Sequence, residues 1–280
     1  MLKKYQKIRS ALAFAGACFM AFLGGLPAFF SFASAKNPFQ WKKMSSYTTY
    51  YSQNDGGRCE NIAIAASLID GVTLQAYGEF SFNKTVGRRT EEAGFRQAKI
   101  IVNGEYVSGV GGGVCQVSTT LYNAALKCGL VVTEFHPHSL QVAYVAPSRD
   151  AMVSSESDLQ LYNPYDFSVY LSAEVFDGGV RVSFFGKTVD RYELVSHTLA
   201  EIPPPAPIVK EGDNEGVLRP PKSGVKSELF IERYRGDTLL SRKRLRADEY
   251  RPIQGIIVKK VDEPTIKIPL NACLFWEKLL

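Results

Sequence analysis

A glycine-rich loop opening onto a one-faced helix, from Gly109 to Cys128, constrains this chain more than any other stretch. After Gly111-Gly112-Gly113, the residues Val114, Val117, Leu121, Ala124, Ala125 and Cys128 fall at i, i+3, i+7, i+10, i+11 and i+14. That spacing places them on one face of an α-helix. Gly129 follows where a left-handed cap residue belongs. An apolar stripe of this length needs a second layer to bury it.

The second layer reads as β. Tyr47 to Tyr51 has strand character, and Asn54-Asp55-Gly56-Gly57 is turn chemistry. A shorter helix is expected over Asn61 to Ile69, stopped by Asp70-Gly71. Brief strands are expected near Thr73–Leu74, Glu79–Phe82 and Lys99–Val102. Asn103-Gly104 between Ile100-Ile101-Val102 and Glu105-Tyr106-Val107 is a tight-hairpin signal. Leu130 to Thr133 starts a strand, His136-Pro137-His138 interrupts it, and Gln141 to Val145 resumes it. Ser168 to Phe176 and Val180 to Phe185 flank Asp177-Gly178-Gly179 as a hairpin. The pattern predicts an α+β fold: a mainly antiparallel, twisted sheet packed with one or two helices, followed by a small β-rich C-terminal tail.

Domain limits follow from composition. Residues 45–196 form the main domain, and 197–226 read as a linker because of Pro203, Pro204, Pro205, Pro207 and the charged residues after them. Residues 227–262 form the tail, with Glu228 to Tyr234 and Leu239 to Leu245 as a hairpin around Arg235-Gly236-Asp237. Residues 1–35 are expected to be an export signal: Lys3, Lys4, Lys7 and Arg9, then an uncharged apolar stretch to Phe32, then Ala33-Ser34-Ala35. A cleaved signal and a retained N-terminal membrane anchor both fit this layout. Either places the remainder outside the cytoplasm, secreted, wall-associated or membrane-anchored.

Charge excludes one class of partner. The chain is +5 and residues 1–35 carry four basic and no acidic groups, leaving 5 − 4 = +1 on the mature part. A near-neutral body is not a nucleic-acid binder. Of the five cysteines, Cys18 lies in the signal and Cys59, Cys115, Cys128 and Cys273 remain. At most one disulfide is expected, Cys59–Cys128 or Cys59–Cys273. No Cys/His spacing suggests zinc, and no metal or cofactor is expected.

The chemistry centres on Cys115. It sits in the first turn of the glycine-opened helix, where free N–H groups and the macrodipole favour a thiolate. The glycines allow a substrate close approach, and N–H groups near Cys115 and Gln116 are candidates for holding an oxyanion. A thiolate nucleophile needs a base. His136 and His138 follow the helix by one short strand, and either is a candidate to return beside its start. Asp150, Ser139 or an Asn is then the candidate to orient the imidazole. Ser118 and Thr119, at i+3 and i+4 from Cys115, are candidate site-lining residues, and Arg88-Arg89 a candidate fork for a substrate carboxylate. The plainer reading makes Cys115 a small buried hydrophobe, as Cys128 on the stripe is expected to be.

These stretches resemble the VanW family, named after an accessory protein of glycopeptide-resistance clusters. The matching segments are Gly78 to Asn83, Val86-Gly87-Arg88-Arg89-Thr90, Ile101 to Gly104, Gly111 through Ala125, His136 to Ser139 and Arg149-Asp150-Ala151. The chain departs from the family's habit at Arg88, where proline is frequent, and at Ser148, where glycine is. Glu228 to Lys260 resembles the small β-rich tail, similar to G5 modules, that often accompanies the family. The resemblance implies a cysteine acyl-transferase acting on peptidoglycan stem peptides, an L,D-transpeptidase or carboxypeptidase, with Cys115 as nucleophile and His138 or His136 as base. Gly112, Gly113, Gln116, Ser118, Thr119, Arg89, Arg149 and Asp150 are the expected substrate and oxyanion contacts. The competing reading is a non-catalytic module that binds peptidoglycan or another envelope partner.

Overall fold

A computed structural model describes residues 41–260, apart from 103, 188, 189 and 213. The expected signal, residues 1–35, and Cys273 lie outside the described residues. Among the described residues no helix is long and apolar enough to cross a membrane. The protein is broadly α+β and mostly β, built from antiparallel sheets and three short helices.

Strand β1 (Lys42–Tyr50) leads into α1 (Gly56–Ile69), then β2 (Thr73–Leu74), β3 (Glu79–Ser81) and α2 (Phe82–Val86). The hairpin β4 (Gln97–Val102) and β5 (Glu105–Val110) precedes the long helix α3 (Val114–Cys128). There follow β6 (Val131–Glu134), β7 (Gln160–Tyr162), β8 (Val169–Phe176), β9 (Gly179–Gly186) and β10 (Arg191–Ile202). The chain ends in β11 (Ile208–Gly212), β12 (Gly216–Arg219), β13 (Gly224–Arg235), β14 (Thr238–Tyr250) and β15 (Ile256–Lys260). The sheets run β1-β9-β8-β2, β3-β7-β6, β4-β5, β10-β13-β14 and β11-β15-β12. Among the described residues only β11 and β15 pair in parallel.

Helix α3 is the axis of the domain. Its apolar stripe is sealed, with Val117, Leu121, Ala124, Ala125 and Cys128 wholly inaccessible. The other faces are buried too, which the single stripe does not suggest. Polar residues there are matched by strand residues far away in sequence. Thr120 Oγ1 meets Thr49 Oγ1 at 2.7 Å, and Ser45 Oγ donates to Ala124 O at 2.7 Å. Each pairing satisfies a polar group that burial would otherwise penalise. Gly129 caps the helix at φ 78°, as its position implies.

Three expectations need correction. Residues 197–226 carry strands β10 to β13 where a linker is expected. Their prolines interrupt the strands between Ile202 and Ile208 and again between Arg219 and Gly224, and β11 and β12 between these breaks are mostly exposed, so they lack the apolar alternation that marks a strand. Gln141 to Val145 forms no strand and instead walls the site described below. Cys59 and Cys128 are free thiols, so the Cys59–Cys128 bridge is absent. Burial pushes the Cys128 thiol up to about 12, as for a core residue.

Candidate active site

The loop before Cys115 is shaped by packing. Gly112 lies against β4, where an added Cβ would come within 2.7 Å of Lys99 O and 2.8 Å of the Ala98 carbonyl carbon. Gly113 adopts φ 107°, in the left-handed region that favours glycine, with Arg58 and Ile62 crowding the place of a Cβ. Asn61, wholly buried on α1, donates from Nδ2 to Gly112 O and to Arg96 O, both at 2.9 Å. The start of α3 is therefore fixed by a side chain that the sequence alone does not single out.

Cys115 opens into a cleft of about 910 Å3. Its thiol donates to Val153 O at 3.3 Å. The N–H groups on either side are occupied: Val114 N donates to Gly111 O and Gln116 N to Gly113 O, at 3.1 and 2.9 Å. The Cys115 N–H has no partner among the described residues. It is the donor left at the helix start for an oxyanion.

His138 stands opposite, 7% exposed. Asp150, 1% exposed, accepts from it twice through Oδ2, from the backbone N–H and from Nδ1, both at 2.7 Å. With Nδ1 engaged, Nε2 is the ring nitrogen left for the thiol. Burial alone would lower the His138 pKa, but the hydrogen bond to Asp150, then the hydrogen bond and charge of Cys115, outweigh it and lift it to about 9. Burial likewise opposes Cys115 ionisation, and the His138 hydrogen bond and charge, Val153 and Arg89 together hold the thiol below its ordinary value. Burial raises Asp150, but His138 and Arg246 hold it below the usual carboxylate range. The two shifts favour a thiolate–imidazolium pair over a neutral one, backed by a carboxylate.

Residues 57–185 match the profile of a family described as VanW like protein. The chain carries a VanW-family domain. It is also 36% identical over 172 residues to YoaR of Bacillus subtilis (strain 168), a protein described as uncharacterized. The match covers 61% of this chain and 55% of YoaR, so the chain spans about half the length of that relative. A solved structure, HP0197-G5, is similar over 25% of this chain and 97% of its own, at 12% identity and a TM-score of 0.14.

Within the VanW domain the expected site residues divide into two groups. Cys115, His138 and Asp150 come together, with Asp150 bound to the histidine and not among the residues that line the cleft. Arg89 also faces the cleft, its Nη1 donating to Asn83 Oδ1 at 2.9 Å and its Nη2 to Ser154 O at 3.2 Å. Gly112, Gly113 and Gln116 line the cleft. The Gln116 side chain is already engaged, since Oε1 accepts from Arg58 at 2.6 Å and Nε2 donates to Thr49 Oγ1 and Tyr50 O at 3.0 Å.

The other residues lie elsewhere. His136 has its side chain 40% exposed and pairs with Glu134 at 3.0 Å, away from the thiol. Ser118 and Thr119 are wholly buried, and their hydroxyls bond the Ala151 backbone, clamping the Asp150 segment to α3. Arg149 points away too, donating to Leu194 O at 2.7 Å and stacking over Tyr47.

The cleft also holds residues that sequence reasoning passed over. Arg58 and Tyr144 face each other across it, 6.0 Å from guanidinium carbon to ring centre. With Arg88, Arg89 and Lys99 they give the wall four fixed cations and no Asp or Glu. Among the described residues none of these four cations forms an ion pair. No group of three or more His, Cys, Asp or Glu side chains among the described residues is placed to hold a metal ion.

Proposed function

We propose that the protein is an exported, cell-envelope cysteine acyl-transferase acting on peptidoglycan stem peptides. One observation carries the reading: a Cys–His–Asp relay with its thiol facing an open cleft, its histidine fixed by a buried carboxylate at 2.7 Å. Burying a carboxylate against an imidazole beside an accessible cysteine has little use in a purely structural core. The cation-lined wall supports an anionic substrate, and stem peptides end in carboxylates.

In the reaction, the Cys115 thiolate attacks the carbonyl carbon of the third stem residue. The Cys115 N–H donates to the developing oxyanion. The bond to the terminal D-alanine nitrogen breaks as His138 Nε2 delivers its proton there, and D-alanine leaves. An amine from a neighbouring stem then gives its proton to His138 and attacks the thioester. The carbon–sulfur bond breaks, a 3→3 cross-link forms and the thiolate returns. Water in place of the amine makes the same site a carboxypeptidase.

The competing reading is a binding module without chemistry, and the Asp150 carboxylate bound to His138 Nδ1 supports the enzymatic reading over it. Purified muropeptides incubated with the protein and with Cys115→Ala separate the two. Cross-linked or trimmed product with the native protein alone supports transfer or hydrolysis. Product from both, or bound but unaltered muropeptide with both, removes the enzymatic reading.

A further inference from the structure

We propose that the C-terminal hairpin belongs to the reaction centre, with Arg246 and Tyr250 of β14 as positioning residues that hold the Asp150 carboxylate and, through it, His138. The inference rests on the reading of Cys115 as a nucleophile. Its basis is the distribution of donors around one carboxylate. Oδ2 of Asp150 is given over to His138, while Oδ1 accepts the Tyr250 hydroxyl and lies 3.5 Å from Arg246 Nη2. Arg246 Nη1 also binds the Asp150 backbone oxygen at 2.7 Å.

The two donors are themselves fixed. The Tyr250 hydroxyl donates to Asp150 and accepts the Ser148 N–H at 2.8 Å, so its proton has one direction to point. Burial and the Asp150 charge raise the Tyr250 pKa, which keeps it a donor. Arg246 is braced by Asp248 at 2.6 Å and lies over the Phe135 ring at 4.7 Å. Without the hydroxyl, Oδ1 keeps only the long Arg246 contact. The carboxylate then turns toward that guanidinium and carries Oδ2 off Nδ1.

A role confined to holding the hairpin in place is the alternative. Other contacts already fasten this sheet to the Asp150 loop without touching the carboxylate: Ser148 Oγ to Ser227 Oγ at 2.7 Å, and Ser196 Oγ to Pro147 O at 2.8 Å. Ser227→Ala therefore serves as the control that loosens the attachment alone.

The test is the rate at which iodoacetamide alkylates Cys115 in the full chain at pH 7, measured by mass, alongside thermal unfolding. Tyr250→Phe is expected to slow alkylation roughly tenfold, Asp150→Asn by at least as much, and the double variant no more than Asp150→Asn, because residues acting through one group are not additive. Ser227→Ala is expected to keep the native rate. If Tyr250→Phe does not fold, Arg246→Lys is read in the same way. A native rate in the folded variant, losses that multiply, or an equal loss in Ser227→Ala overturns the inference while leaving Cys115 as nucleophile. A native protein whose Cys115 reacts like an ordinary thiol overturns the proposed function and this inference with it.

Discussion

His138 and Asp150 are joined twice through one oxygen: Oδ2 accepts both the backbone N–H and Nδ1 of the histidine at 2.7 Å. The backbone contact fixes where the loop stands and the ring contact fixes how the imidazole faces. One carboxylate thereby engages Nδ1 and leaves Nε2 as the ring nitrogen for Cys115. His136, two residues earlier, makes a single ring contact, to Glu134 at 3.0 Å, while its backbone oxygen accepts from Met152 N at 2.7 Å.

That difference predicts a split between the histidines. His138→Ala is expected to lower Cys115 alkylation and any acyl transfer by about 100-fold or more, in the range a positioned general base supplies. His136→Ala is expected to stay within about twofold of the native protein. Parallel alkylation rates for the two variants check it, and equal losses would contradict it.

The same pair predicts how stability responds to pH. A histidine lifted from 6.5 to about 9 contributes stability that is complete below pH 6.5 and lost as pH rises through about 9. A thiol lowered from 9.0 contributes stability present above pH 9 and lost as pH falls through its folded value. As pH rises from 6.5 to 9 the two contributions change in opposite directions. Native stability is therefore expected to vary less across that window than the histidine alone would make it. Cys115→Ala leaves the His138 linkage alone, so its stability should fall as pH rises across the window. Urea unfolding at pH 6.5 and 9 checks this, and a variant that varies no more than the native protein would contradict it.

Gly112 tests the loop. Gly112→Ala places a Cβ within 2.8 Å of β4 backbone, which cannot yield as a side-chain tip would. It is expected to destabilise by about 1–3 kcal/mol, the usual cost of overpacking, and to slow Cys115 alkylation by displacing the helix start. Gly104→Ala, at a position where nothing lies within 4 Å of the added carbon but φ is 81°, should cost less and leave alkylation unchanged. Denaturation midpoints and alkylation rates of the two variants compare them directly.

What the sequence discloses follows from the range of the interactions involved. Helix α3, the β4–β5 hairpin at Asn103-Gly104 and the β8–β9 hairpin are legible because local periodicity and turn chemistry encode them. Cys115 is legible for the same reason, as a cysteine on a glycine-opened helix. The choice of His138 over His136 is not, because it depends on a carboxylate 12 residues away that folds back beside it. Arg246 and Tyr250 stand 96 and 100 residues from Asp150, with no local pattern marking them as part of its surroundings. Ser118 and Thr119 look like site residues by helical spacing alone, but that face of α3 is covered by the Ala151 segment.

The central claim is that a charged His138 beside Cys115 shifts it toward the thiolate. The pH dependence of its alkylation by iodoacetamide measures this directly, with Cys18, Cys59, Cys128 and Cys273 replaced by alanine so that one thiol reports. The account predicts that the rate gains clearly less than tenfold per pH unit between pH 6 and pH 8, and that His138→Ala restores the tenfold gain per pH unit of an ordinary thiol. A native protein whose rate already climbs tenfold per unit from pH 6 to pH 8 would contradict it.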